Sequence, residues 1–168
     1  LTALRMEFIR QAFLQAGRSE TDAKTASEEG FNVFYLARNQ VEFFPDVKNV
    51  LQQLANTYTL AAISNGNACI EKVGLKPLLS YQYSVEQVGV AKPHPAIFMR
   101  ALDHIGAQPH ETIHVGDHFE QDILGAKNTG LHAVWLNRKA EPRPDTHHEI
   151  HEIASLEELP TLIHTLDQ

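Results

Sequence analysis

Thr112-Ile113-His114-Val115-Gly116-Asp117, then Asp122, a helical run from Ile123 to Asn128, Gly130, and finally His132-Ala133-Val134-Trp135-Leu136 read as one strand–helix–strand unit. The two apolar runs have strand length, and Gly130 is a fitting helix stop. Such a unit predicts a right-handed crossover between parallel strands. Ligands of open α/β sheets bind outside the carboxyl ends of the strands. Asp117, directly after a buried strand and Gly116, should therefore project into that crevice. Asp122, near the first turn of the following helix, can face the same space.

The pattern repeats outward from this unit. Val47, Val50, Leu51 and Leu54 mark a helix, Tyr58 to Ile63 a buried strand, and Tyr81 to Val85 a weaker one. Ile97, Phe98, Ala101, Leu102 and Ile105 define a helix ending at Gly106. Residues 139–145 form a loop, Glu149 to Ile153 an edge strand, and Ser155 with Glu158 a capping box for the last helix. Before Pro45 there is no strand signal. Leu1, Leu4, Phe8, Ile9, Ala12, Phe13 and Ala16 recur at helical spacing up to Gly17, and Ser19 or Thr21 can cap a second helix towards Arg38. Asn39 to Pro45 reads as a linker. The fold predicted is α/β, a doubly wound, mainly parallel Rossmann-like sheet behind a small helical unit.

Three polar clusters occupy expected strand ends. Ser64-Asn65-Gly66-Asn67 should turn from a strand into a helix, where a hydroxyl and backbone N–H groups can hold phosphate oxygens. Alone, such a turn is common. Lys92, extended by Pro93, can neutralise charge on a phosphoryl group and its attacking carboxylate. Asp117 and Asp122 are the sharper signal. Two carboxylates held together repel unless a cation intervenes, and hard oxygen ligands favour Mg²⁺. His147, His148 and His151 lack the His-Glu-x-x-His spacing of zinc proteases and are read as surface residues.

A formal net charge of −7 argues against a nucleic-acid groove, but not against a phosphorylated small molecule met through a cation. No apolar run is long enough to cross a bilayer, so no membrane partner is expected. The single cysteine, Cys69, cannot form an internal disulfide, which suits a reducing cytoplasm.

Taken together, these residues resemble the haloacid dehalogenase-like (HAD) superfamily of hydrolases, in its subgroup with a small helical cap. Ile63-Ser64-Asn65-Gly66 resembles the family's second motif, Gly89-Val90-Ala91-Lys92-Pro93 the third, and His114-Val115-Gly116-Asp117 with Asp122 the fourth. Phe44-Pro45-Asp46-Val47 resembles the return from cap to core, implying a partial cap over residues 1–44 and a core over 45–168. The resemblance implies phosphate binding by Ser64, Asn65, Gly66 and Lys92, a catalytic role for Lys92, and Mg²⁺ held by Asp117 and Asp122. Dehalogenases of the superfamily work without metal and lack the acidic fourth motif, so the phosphatase branch is favoured.

The family's first motif, Asp-x-Asp on a central strand, supplies the nucleophile and general acid, and nothing in this sequence matches it. That strand normally lies between those ending at Ile63 and Val115. The chain, which begins at Leu1, is thus expected to be a fragment that is inactive as it stands. The intact protein is expected to hydrolyse a small phosphomonoester through an aspartyl-phosphate. A nucleotide, a flavin nucleotide or a sugar phosphate would suit, and the sequence slightly resembles bacterial flavin-nucleotide phosphatases. The alternatives are a non-catalytic phosphate-binding remnant and a metal-free haloacid dehalogenase. A receiver-like signalling domain is disfavoured because Asp117 follows the hydroxyl and the lysine rather than preceding them.

Overall fold

The structure is a computed structural model describing residues 2–144 and 150–166, so His147 and His148 lie outside it. Helix α1 (Thr2–Gln15) stops before Gly17, whose φ of +75° suits a residue without a Cβ. Helix α2 (Glu20–Arg38) is opened by Ser19, which accepts a hydrogen bond from Asp22 N at 3.1 Å. The two pack on each other, yet α1 buries none of its residues, and Leu4, Phe8, Val33 and Leu36 stay exposed.

Helix α3 (Val47–Ala55) leads to β1 (Ala61–Ser64), which pairs in parallel with β2 (Tyr81–Ser84). A short helix, α4 (Val85–Val88), precedes α5 (Pro95–Ile105), which ends on Gly106 in the left-handed region. Strand β3 (Ile113–Gly116) is followed by a π-helical turn (Phe119–Leu124), α6 (Gly125–Asn128) and β4 (His132–Leu136). Strand β5 (His151–Ile153) and α7 (Leu159–Leu166) complete the described chain. All pairings are parallel, in the orders β1–β2 and β3–β4–β5. Strand β5 is the edge that was expected, and Ser155 with Glu158 forms the capping box.

Period-two alternation distributes the strands' side chains over two layers. Ala133 and Trp135 join Ile97, Phe98, Leu102, Ile123 and Ala126 beneath α5 and α6. Val134 and Ile153 join Val50, Leu54, Leu159 and Ile163 beneath α3 and α7. Helices thus cover both faces, as in a doubly wound sheet. Among the described residues no helix is long and apolar enough to cross a membrane.

Three expectations need correction. Strand β1 begins at Ala61 rather than Tyr58, because its partner offers only the four residues Tyr81–Ser84. Ser64 is consequently the last strand residue, not part of the turn. No helix follows it either. The segment to β2 runs in turns, pinned by the Gln82 carboxamide, which accepts from Ile70 N at 2.9 Å and donates to Ala68 O. Finally, the residues around Asp122 form a π turn before the α-helix proper, a feature often found where backbone geometry serves a site. Strands β1 and β3 are not hydrogen-bonded to each other, and each has one edge without a strand partner among the described residues.

Candidate active site

The carboxyl ends of β1 and β3 are bridged by side chains rather than by backbone. Lys92 Nζ donates to Ile63 O of β1 at 2.9 Å and to Asp122 Oδ1 at 2.5 Å. His114 Nε2, from β3, lies 3.1 Å from the same carboxylate oxygen, and its ring meets Phe98 edge-on. Asp122 Oδ2 accepts from His118 N at 3.0 Å. The Lys92 and Asp122 side chains are only 11% and 6% exposed, so this is a buried ion pair, in which both Asp122 oxygens are engaged and two of the three Nζ protons have partners among the described residues. Burial pushes the Asp122 carboxyl up. The His114 hydrogen bond, the charge and hydrogen bond of Lys92 and the His118 N–H outweigh it, holding the group well below the usual carboxylate range.

Asn65 fastens the lysine's backbone. Its Oδ1 accepts from Lys92 N at 2.7 Å, and its Nδ2 donates to Lys92 O and to Gln121 Oε1, each at 2.9 Å. The Asn65 carboxamide is thereby committed to structure, and only its main chain can face a ligand. The Lys92–Pro93 peptide bond is cis. Ser64 Oγ accepts from Gly66 N at 2.9 Å, which leaves its hydroxyl proton to be donated outward. Asn67 is buried, and neither polar atom of its side chain has a partner among the described residues.

Gly116 is demanded by packing, not by backbone angle. A methyl group there would overlap Asp122 Cβ and Cγ and sit 2.6 Å from Oδ2. The next residue, Asp117, is exposed, and its carboxylate has no hydrogen-bond or ion-pair partner among the described residues. Its main-chain oxygen accepts from the Trp135 indole at 3.0 Å, which fixes the end of β3. The structure therefore brings Ser64, Asn65, Gly66, Lys92 and Asp122 together, and leaves Asp117 open at the strand end. His114 and Gln121 were missed. The signal for His114 was present, since a polar residue between Ile113 and Val115 points to the opposite layer and needs a partner there.

A profile of the haloacid dehalogenase-like hydrolases matches residues 3–130. The 5-amino-6-(5-phospho-D-ribitylamino)uracil phosphatase of Escherichia coli is 30% identical over 166 residues, 95% of this chain and 70% of that protein. A phosphoserine phosphatase of Thermus thermophilus is 28% identical over 82% of this chain, and the match spans only 56% of that enzyme. A crystal structure of a 2-haloacid dehalogenase from Pseudomonas syringae superposes with a TM-score of 0.94 at 35% identity, covering 98% of this chain and 71% of that one. With a family profile matched over residues 3–130 and a relative 30% identical across 95% of its length, the chain belongs to the haloacid dehalogenase-like hydrolases.

Proposed function

We propose that the whole protein is a Mg²⁺-dependent phosphatase acting on a small phosphomonoester. The observation that carries this is Asp117, a carboxylate at the carboxyl end of β3 with no partner among the described residues, five residues before the Asp122 that holds the buried Lys92. The donor set fits Mg²⁺, which takes one or two carboxylates plus waters and substrate oxygens rather than an all-protein cage. Asp117 would be its ligand. Asp122, with both oxygens engaged, would contribute chiefly charge while it holds Lys92. When bound, the ion would supply charge neutralisation at the phosphoryl oxygens.

This chain's own residues would bind and orient. Ser64 can donate its hydroxyl proton to a phosphoryl oxygen, and Lys92 can stabilise charge that develops during transfer. The attacking carboxylate and general acid are assigned to an Asp-x-Asp strand lying between β1 and β3, a reading supported by the edge that each of those strands leaves without a strand partner among the described residues. Residues 1–44 are assigned as part of a cap and 45–168 as the core. A cytoplasmic location is proposed on the sequence's single cysteine, which cannot form an internal disulfide. Phosphorylated ribityl or sugar-like metabolites are the first substrates to try, because the relatives include phosphatases of such compounds.

The test is phosphate release by the full-length protein from a panel of phosphomonoesters, with and without chelator, beside halide release from 2-haloacids. Expected are Mg²⁺-dependent phosphate release, its loss in Asp117→Asn, and no halide. Chelator-resistant halide release would overturn the phosphatase assignment in favour of a dehalogenase.

A further inference from the structure

The last residue of α2, Arg38, sits against the turn that follows β1. A methyl group on Gly66 would lie 2.6 Å from Arg38 Nη2 and 3.3 Å from Ser64 Oγ. The absent side chain at Gly66 is the space that the guanidinium enters, and the serine hydroxyl borders the same space. This placement is anchored. Asn39, buried next to Arg38, donates from Nδ2 to Tyr35 O at 2.7 Å and accepts at Oδ1 from Cys69 N at 2.8 Å. One side chain thereby ties the carboxyl end of α2 to the loop beyond Gly66. Arg38 itself is exposed and has no carboxylate partner among the described residues.

The charge balance of the site gives this placement its meaning. Lys92 spends its charge on Asp122, so the pair is neutral as a unit, and Asp117 adds a negative charge nearby. The Mg²⁺ proposed at Asp117 would leave one net positive charge there, so a phosphoryl dianion approaching Ser64 is only half matched and calls for a second free cation in a protein of net charge −7. Arginine suits that task, since its planar fork can engage two phosphoryl oxygens at once and stays protonated at every relevant pH.

We infer that Arg38 binds the substrate's phosphoryl oxygens from the side of α2, beside Ser64 and Gly66. The inference rests on the phosphatase reading and deepens it, because it makes the helical segment part of the phosphate site. Asn39 is then a positioning residue for Arg38.

The experiment is calorimetric titration of inorganic phosphate into the full-length protein in Mg²⁺ buffer, as wild type, Arg38→Ala and Arg38→Lys. Loss of a charge-assisted contact should weaken phosphate binding about tenfold or more in Arg38→Ala, with the lysine variant in between. Thermal melts of the variants should match the wild type, since Arg38 is exposed and makes no hydrogen bond among the described residues. Wild type and Arg38→Ala binding phosphate equally would overturn the inference and leave the phosphatase reading standing. A wild type that neither binds nor releases phosphate would remove both.

Discussion

Two oxygens of Asp122 serve three donors: Lys92 and His114 share Oδ1, and His118 N has Oδ2. Replacing it with Asn leaves the Lys92 charge buried without its counter-charge, a change that costs about 3–5 kcal/mol. The carboxyl's pKa is depressed in the folded state, so its contribution is complete above the ordinary carboxylate pKa near 4 and is lost as pH falls below that. Urea unfolding should accordingly show a constant gap between wild type and Asp122→Asn from about pH 5 to 8, narrowing in acid. A gap that widened on acidification would contradict the ion pair. Gly116→Ala tests the same point sterically, with an expected loss of about 1–3 kcal/mol and impaired turnover as Asp122 is pushed off Lys92. At this scale much was readable. Ser64, Lys92, Asp117 and Asp122 stood out because reactive residue types followed apolar runs. Arg38 did not, because nothing in a helix's last residue says which distant glycine it will rest on.

Between elements, Asp46 does what no local pattern announces. It precedes α3 without capping it by a side-chain bond. Its Oδ2 instead accepts from Arg138 Nη2 at 2.6 Å, Ser155 Oγ at 2.9 Å and Leu156 N at 2.8 Å. The start of α3 is thereby joined to the loop after β4 and to the entrance of α7. Asp46→Ala would strand Arg138 and the Leu156 N–H, and its expected cost is about 3–5 kcal/mol in chemical denaturation. Arg138→Met should also destabilise, because Asp46 is buried and keeps only the hydroxyl and N–H on Oδ2, with its charge unmatched and Oδ1 without a partner among the described residues. The helices themselves were legible from spacing, and their ends from Gly106 and the Ser155–Glu158 box, since these are local effects. The extent of β1, the turns after Ser64 and the π turn at Phe119–Leu124 were not. Each depends on a partner remote in sequence: β2, the Gln82 side chain, and Lys92.

For the molecule as a whole, the consequential feature is the division of the sheet. Strands β1 and β3 are only half-buried along their lengths, whereas Ala133, Val134 and Trp135 of β4 are buried. A strand seated between β1 and β3 would pair both edges. Unsatisfied backbone groups cost about 1–3 kcal/mol each once buried, a large share of a domain's net stability. The 168-residue chain by itself is therefore expected to self-associate or to unfold without a sharp transition. Light scattering that showed a monodisperse monomer, together with a cooperative melt, would contradict this and require the bridged strand ends to be stable as they are. Fold class was legible because alternating strands and helices admit few topologies.

The hydrogen bond from the Trp135 indole to Asp117 O has a practical corollary. Trp135 is the sole tryptophan of the sequence, 1% exposed, and in edge contact with Phe119. Its emission thus reports from directly behind the carboxylate proposed to receive Mg²⁺, with no second indole to blur the signal. The protein carries its own optical gauge of metal binding: titrating Mg²⁺ should shift that fluorescence along a saturable curve, and Asp117→Asn should flatten it.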